Sequence, residues 1–359
     1  MNINYRPEID GLRAIAVISV IFYHANVVIF DEKLFKGGFI GVDIFFVISG
    51  YLITSLILKE LNTTQSFSFI NFYERRIRRI LPPLLFVMLL CFPVAWIHLG
   101  PANFIEFSKS ILYSIGFSSN FYFWDIGQQY AAASSLLKPF LHTWSLSIEE
   151  QYYIIFPIFL FIIYRYLKNY LLLFLFISFI FSLLLADWGT KNYPSATFYF
   201  LHSRAWELIV GSFLAFPKIY QKYKKYNLIT QNILSFIGLF IIFFSIIFGK
   251  THFPHPSFYT LAPVLGVCLV ILFSNKNTFI AKILSTKFFV GTGLISYSLY
   301  LWHYPIFVFY RYIKNTTEDY KNILIVFLIL VILSIISYFF IEKPFRKKDK
   351  KKISLKIIL

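Results

Sequence analysis

Charge is scarce in this chain: 14% of its 359 residues are charged, against about a quarter in soluble domains. Acidic residues are the rarer kind, 17 against 34 basic ones. Two cysteines, Cys91 and Cys268, each sit in an apolar run, so a disulfide framework or a cysteine metal site is not expected. No small-x-small cleavage site follows the first apolar stretch, which reads as an uncleaved segment. No internal repeat of the transporter kind is visible. The sequence ends shortly after IEKPFRKKDKKK, and no appended soluble domain is expected. What fills the chain is apolar: 58% hydrophobic, 21% aromatic, with 45 Phe. A soluble fold is thereby excluded, and an all-α polytopic bundle is expected. The net charge of +17 does not point to nucleic acid, because the basic residues cluster between apolar runs, where they orient spans and attract anionic lipid.

Ten stretches are long enough to span, near 12–30, 39–58, 80–99, 147–164, 170–187, 197–216, 229–248, 258–274, 288–311 and 322–341. An eleventh run, 111–124, carries Gly and several Ser and reads as a re-entrant or interfacial segment. With the amino terminus in the cytoplasm, inside segments hold 24 Lys and Arg and outside loops nine, so both termini are expected in the cytoplasm. Residues 1–345 then form one transmembrane domain and 346–359 a basic cytoplasmic tail.

Arg13 and His24 share the first span. Eleven helical steps of roughly 100° return to within about 20° of the start, so both side chains leave one face, about 16 Å apart along the axis. On a span of 12–30, Arg13 lies at one membrane surface and His24 near mid-bilayer, in a hydrocarbon layer about 30 Å thick. Polar groups at depth mark a functional site facing the bundle interior. A cation at the mouth and a histidine halfway down suit a long, anion-headed substrate whose reaction needs a hydroxyl-activating base. An arginine anchor and a packed histidine remain the plain alternative.

Other polar residues fall at span ends. In GGFIGVDIFFVISGYLIT, Gly38, Gly41, Ser49 and Gly50 permit close helix approach, and Asp43 calls for a partner. FYERRIRRILPP places Arg75, Arg76, Arg78 and Arg79 before Pro82 and Pro83. These arginines are a topology signal, a phosphate-binding cluster, or both, and the prolines begin or bend the third span. FLHTWSLSIEEQYY crowds His142, Trp144, Glu149, Glu150 and Gln151 at the fourth span. Two adjacent carboxylates exceed what an interfacial anchor requires. Arg204 and Glu207, three apart, read as a structural ion pair. His303, beside Trp302 and Pro305, lines a cavity or bonds a backbone carbonyl at the proline kink. His252 and His255 in HFPHP read as solvated loop residues.

Taken in order, YRPEIDGLRAIAV, GVDIFFVISGYLIT, FYERRIRRILP, HTWSLSIEEQYY, SRAWELIVG, ISYSLYLWHYP and EKPFR resemble the acyltransferase-3 family of integral membrane O-acyltransferases over nearly the whole chain. The resemblance implies a bacterial enzyme of the cytoplasmic (inner) membrane. It moves an acyl group, commonly acetyl, from cytoplasmic acyl-CoA to a hydroxyl of a cell-surface carbohydrate such as O-antigen, other lipopolysaccharide, capsule or exopolysaccharide, or a lipid-linked sugar. Peptidoglycan, glucan and small metabolites are compatible acceptors. It implies Arg13 and His24 as the essential catalytic pair, with Asp43, Glu149 and Glu150 as further catalytic candidates. Arg75, Arg76, Arg78 and Arg79 are the candidates for the donor's phosphates, and His142, Trp144 and His303 for the acceptor. Some relatives carry a fused extracytoplasmic esterase-like domain, so the expectation here is that either the membrane domain finishes the transfer or a separate partner protein does. Membrane lipid is the other expected partner; no metal is expected. A transporter or flippase for a glycan or lipid-linked intermediate is the rival reading, since polar groups in a bundle also mark transport paths.

Overall fold

The computed structural model describes residues 5–29, 32–33, 35–129, 134–216, 226–249, 254–314 and 323–346. Helices dominate it, as the composition requires. Helix α1, Pro7–Ala25, opens on a proline, which gives up no needed N–H there. Glu8 and Asp10 lie in its first turn, where the helix dipole favours negative charge, and Asn26 ends it at φ 53°. A two-residue β ladder pairs Val28–Ile29 with Glu32–Lys33. Helix α2 is Gly41–Thr64 and α3 Phe69–His98, the latter capped by the Ser68 side chain on the Asn71 N–H. Then come α4 Pro101–Ile115, α5 Ser119–Gly127, α6 Thr143–Tyr166, α7 Leu171–Asn192, α8 Pro194–Tyr199 and α9 Leu201–Leu214. The rest are α10 Leu228–Phe248, α11 Leu261–Phe273, α12 Phe279–Leu284, α13 Lys287–Leu294, α14 Ser296–Lys314 and α15 Ile323–Ile336. A π-helical turn, Ser337–Glu342, leads into α16, Lys343–Arg346.

The sequence reads 1–345 as one domain; the chain clusters into two compact units, Met1–Phe67 with Ser145–Ser296, and Ser68–Trp144 with Tyr297–Leu359. In the first unit α2 packs on α9, α10 on α11, and α1 on α2 and α13. Its core joins Leu12, Val47, Trp206 and Val267. Glycine lets the backbones meet: a Cβ on Gly50 would overlap the Leu208 carbonyl, and one on Gly211 the Val47 carbonyl. In the second unit α3 packs on α4, on the π-helical turn and on α16. Glu342, fully buried in that turn, pairs with Arg346 at 2.5 Å and accepts from the Ser298 hydroxyl at 2.7 Å.

Among the described residues six stretches are long and apolar enough to cross a membrane: Gly38–Thr64, Phe69–His98, Thr143–Tyr166, Lys168–Asn192, Leu228–Phe248 and Ile323–Arg346. Several expose apolar stripes suited to lipid, Phe176, Phe181 and Leu184 on α7 and Phe236, Phe240 and Phe244 on α10. Cys91 and Cys268 are buried and unbridged, packing residues as expected.

Helix bounds depart from the expected spans where polar residues extend or break a helix. The first span begins five residues early, because Pro7 and the acidic first turn start a helix inside polar sequence. The third starts at Phe69, so its arginines are helical and Pro82 and Pro83 sit inside it. The run at 111–124 becomes the pair α4 and α5, broken at Gly116–Ser118, where Phe117 takes φ 51°; the Tyr113 and Tyr122 rings stack across the break at 4.7 Å. The sixth stretch divides at Phe200 into α8 and α9, and the ninth at Ile295 into α13 and α14. His252 and the tail 347–359 lie outside the described residues.

Candidate functional site

Arg13 is the seventh residue of α1 and bonds Asp10 at 3.0 Å. Asp10 also accepts from the Tyr5 hydroxyl at 2.7 Å. Arg6, just before the helix, donates to the Ile271 and Ser274 carbonyls at 2.8 and 3.0 Å, caps the end of α11, and reaches the Tyr51 hydroxyl at 3.3 Å. These contacts set the level of α1 against α2. The two helices run antiparallel, with Gly41 on Ala16 and Val20 and Tyr51 beside Arg6. The start of α1 therefore lies beside the middle of α2, and Arg13 is not at the end of the bundle. His24 is the next-to-last residue of α1, in its final turn rather than halfway along. The two remain about 16 Å apart on one helical face. What changes is the frame, because the helix runs from Pro7 to Ala25, starting and ending five residues before the expected 12–30 span does.

Ser49 on α2 is level with the first half of α1, between Gly41 and Tyr51. There it meets Glu149, the seventh residue of α6. The Ser49 and Tyr153 hydroxyls both donate to the same oxygen, Glu149 Oε1. Tyr153 reaches it because residues four apart share a helix face. One residue back, Tyr152 and Thr54 share the Ser212 hydroxyl, at 2.9 and 2.7 Å, and so tie α6, α2 and α9 together. Glu150 is buried and points about 100° away around the helix. The adjacent carboxylates thus have different surroundings.

A second polar group lies beside the far end of α1. Arg204 on α9, 0% exposed, bonds Asp43 Oδ1 at 2.5 Å and Glu207 Oε2 at 3.2 Å. His255 Nε2 meets Asp43 Oδ2 at 3.0 Å, and its Nδ1 faces Arg204 Nη1 at 3.3 Å. A guanidinium only donates and a carboxylate accepts. His255 is therefore the neutral tautomer with hydrogen on Nε2. Burial lowers its pKa below 6.5, with Asp43 opposing and Arg204 adding to the effect. Both Asp43 oxygens are occupied, and the side chain is 1% exposed. The expected Arg204–Glu207 ion pair is present, enlarged by Asp43. His255 is not a solvated residue: its side chain is 14% exposed, because Asp43 and Arg204 draw the loop inward. Its ring packs edge-on to Phe39 at 4.8 Å, Phe39 to Tyr23 at 5.6 Å, and Tyr23 to His24 at 5.3 Å.

In the second unit His142 and His303 come together, ring centroids 5.2 Å apart, with Tyr300 and Tyr304 around His142. The Tyr300 hydroxyl donates to the His142 carbonyl at 2.8 Å. His303 Nδ1–H donates to the Tyr300 carbonyl at 2.5 Å, the backbone bond offered as one of its two readings. Trp144, at the start of α6, is buried. The four arginines divide: Arg78 is buried and held by Glu74 at 2.9 Å, Arg76 lies over the Phe72 ring at 5.8 Å, Arg79 is half-buried and Arg75 is exposed.

Sequence reasoning missed three participants. His255 lies 212 residues from Asp43 and 51 from Arg204, and no spacing signals such a contact. Ser49 reads as a small packing residue. Tyr153 had a signal, its place one turn after Glu149.

The family model described as an acyltransferase domain, acyltransferase-3 type, matches residues 6–342. A Staphylococcus aureus protein is 35% identical over 367 residues, 98% of this chain and 59% of its own length. The peptidoglycan O-acetyltransferase OatA of Listeria monocytogenes is 35% identical over 96% of this chain and 56% of its own. The O-acetyltransferase OatA of Staphylococcus aureus is 33% identical over 97% and 58%. The chain thus spans less than two thirds of the length of these relatives. No solved structure matches it.

Proposed function

We propose, for a chain that belongs to the acyltransferase-3 family, that it is a membrane O-acetyltransferase, taking acetyl from acyl-CoA to a hydroxyl of a cell-envelope carbohydrate. The observation that carries this reading is the 33–35% identity across 96–97% of the chain to two proteins named O-acetyltransferases. One relative's name makes peptidoglycan the first acceptor to assay; O-antigen, capsule and exopolysaccharide follow.

In this reading both termini face the cytoplasm of a multi-pass protein of the bacterial inner membrane. His24 takes the proton of the acceptor hydroxyl as its oxygen attacks the thioester carbonyl carbon. The C–S bond breaks, and the CoA thiolate leaves with a proton. Arg13, held by Asp10, presents a fixed cation to the donor. Arg75, the exposed member of the α3 cluster, is the first candidate for a donor phosphate, with Arg76 and Arg79 beside it in sequence. A separate extracytoplasmic protein is a candidate to complete the transfer.

The test is acetyl transfer from radiolabelled acetyl-CoA to muropeptides, and then to the other glycans, by the purified full chain in lipid. Label in ester linkage, lost in His24→Ala, is the expected result. A protein that moves lipid-linked glycan across vesicles and transfers no acetyl group overturns it in favour of transport.

A further inference from the structure

The Glu149 carboxylate is asymmetric. Oε1 takes two hydroxyl hydrogen bonds, from Ser49 and Tyr153. The side chain is only half-buried, and the second oxygen, Oε2, keeps its accepting capacity. The carboxylate's position is set from three sides. Tyr153 holds it from its own helix, Ser49 from α2, and Tyr152 with Thr54 and Ser212 lock α6 against α2 and α9. Buried polar groups on packed helices hold their geometry better than groups on loops. The level along the bundle matters as well. Ser49 stands between Gly41, which packs on Ala16, and Tyr51, which meets Arg6. Glu149 is therefore level with Asp10 and Arg13, not with His24 in the last turn of α1.

An ionised carboxylate oxygen accepts and does not donate. Its ligand must bring an N–H or O–H group. Resting on the donor reading above, we propose that Glu149 Oε2 is the hydrogen-bond acceptor for the pantetheine arm of acyl-CoA, whose two amide N–H groups and one hydroxyl are its donors. Ser49 and Tyr153 are positioning residues that fix the oxygen presented to it. Arg13, at the same level, suits the carbonyl oxygens of the arm, and the carboxylate suits its amide N–H groups. This divides donor recognition from proton transfer: Glu149 holds the arm, and His24 stands about 16 Å away along α1. The separation requires the acyl end, not the amides, to reach the histidine.

Binding measured by calorimetry on the purified full chain in nanodiscs tests this with two probes: CoA, and adenosine 3′,5′-bisphosphate, which has the head phosphates and no arm. Glu149→Gln and Tyr153→Phe should each weaken CoA roughly tenfold, the loss of one charge-assisted hydrogen bond, and leave the bisphosphate unchanged. Ser49→Ala should weaken CoA and Ser49→Thr should restore it, provided each variant elutes as the wild type does. Turnover should follow as a raised KM for acetyl-CoA, with kcat largely kept. Equal CoA affinity in all four variants overturns the arm subsite, as does a kcat loss at unchanged KM, which makes Glu149 a proton-transfer group. A wild-type chain that binds neither probe overturns the acyl-CoA reading itself.

Discussion

Two polar groups flank α1, and they differ in how far they are closed to solvent. Beside its far end, Asp43, Arg204, Glu207 and His255 close on one another: both Asp43 oxygens are bonded, the guanidinium meets two carboxylates and an imidazole, and the four are nearly excluded from solvent. Beside its first half, Glu149 has one oxygen doubly bonded and stays half-buried. A closed network holds helices in register and offers a substrate nothing without breaking first. A carboxylate held on one side is already positioned and still able to bind. Asp43 and Glu149, both catalytic candidates in the sequence, thus fall on opposite sides of this distinction. Asp43 holds α2, α9 and the loop before α11 together, and Glu149 is the residue proposed to meet the donor.

Removing His24 should have the largest effect. His24→Ala is expected to cost about 10²–10⁴-fold in acetyl transfer, the usual range for a lost general base, with CoA affinity kept; transfer at wild-type rate removes the histidine from the chemistry. Arg204→Met breaks the closed network and leaves two buried carboxylates without their cation. That should cost about 3–5 kcal/mol of stability, read as a lower thermal transition in detergent, and an unchanged transition would show that the network holds nothing. Glu149→Gln, by contrast, should leave the transition near wild type and alter donor binding about tenfold. If it lowers the transition as Arg204→Met does, the distinction between the two groups fails. Smaller again is the arginine cluster. Neutralising Arg75, Arg76 and Arg79 should weaken acyl-CoA binding and flatten its salt dependence, since fewer contacts remain to be screened; an unaltered salt slope returns them to topology signals. The smallest effect concerns pH. His255 is neutral when folded, with a pKa lowered from 6.5, so the unfolded chain takes up its proton first as pH falls. Its stabilising contribution is present above pH 6.5 and is lost as pH drops below that value. The thermal transition should therefore fall between about pH 7 and 5, and His255→Asn should flatten that part of the fall.

Much of the molecule was legible beforehand. Long apolar runs gave the helical class, because a membrane interior leaves few ways to satisfy a backbone. The Arg13–His24 spacing held on one face because helical geometry is local. The glycines of α2 marked close approach, to α1 at Gly41 and to α9 at Gly50. Helix ends were the weak point. Pro7 with its acidic turn extended α1 into polar sequence, and Asn26, at φ 53°, ended it five residues early, which puts His24 in the last turn rather than mid-helix.

The sequence by itself determined a helical membrane chain, its family, and which polar residues stand out against an apolar background, because hydropathy, helical period and ordered motifs are properties of neighbours in the chain. Tertiary structure alone decided which of those residues are closed off and which are presented. Asp43 meets His255 across 212 residues, and Glu149 meets Ser49 across 100. Such pairings depend on helix crossings, Gly50 against Leu208 among them, and a crossing is set by packing between distant segments rather than by any spacing along one of them.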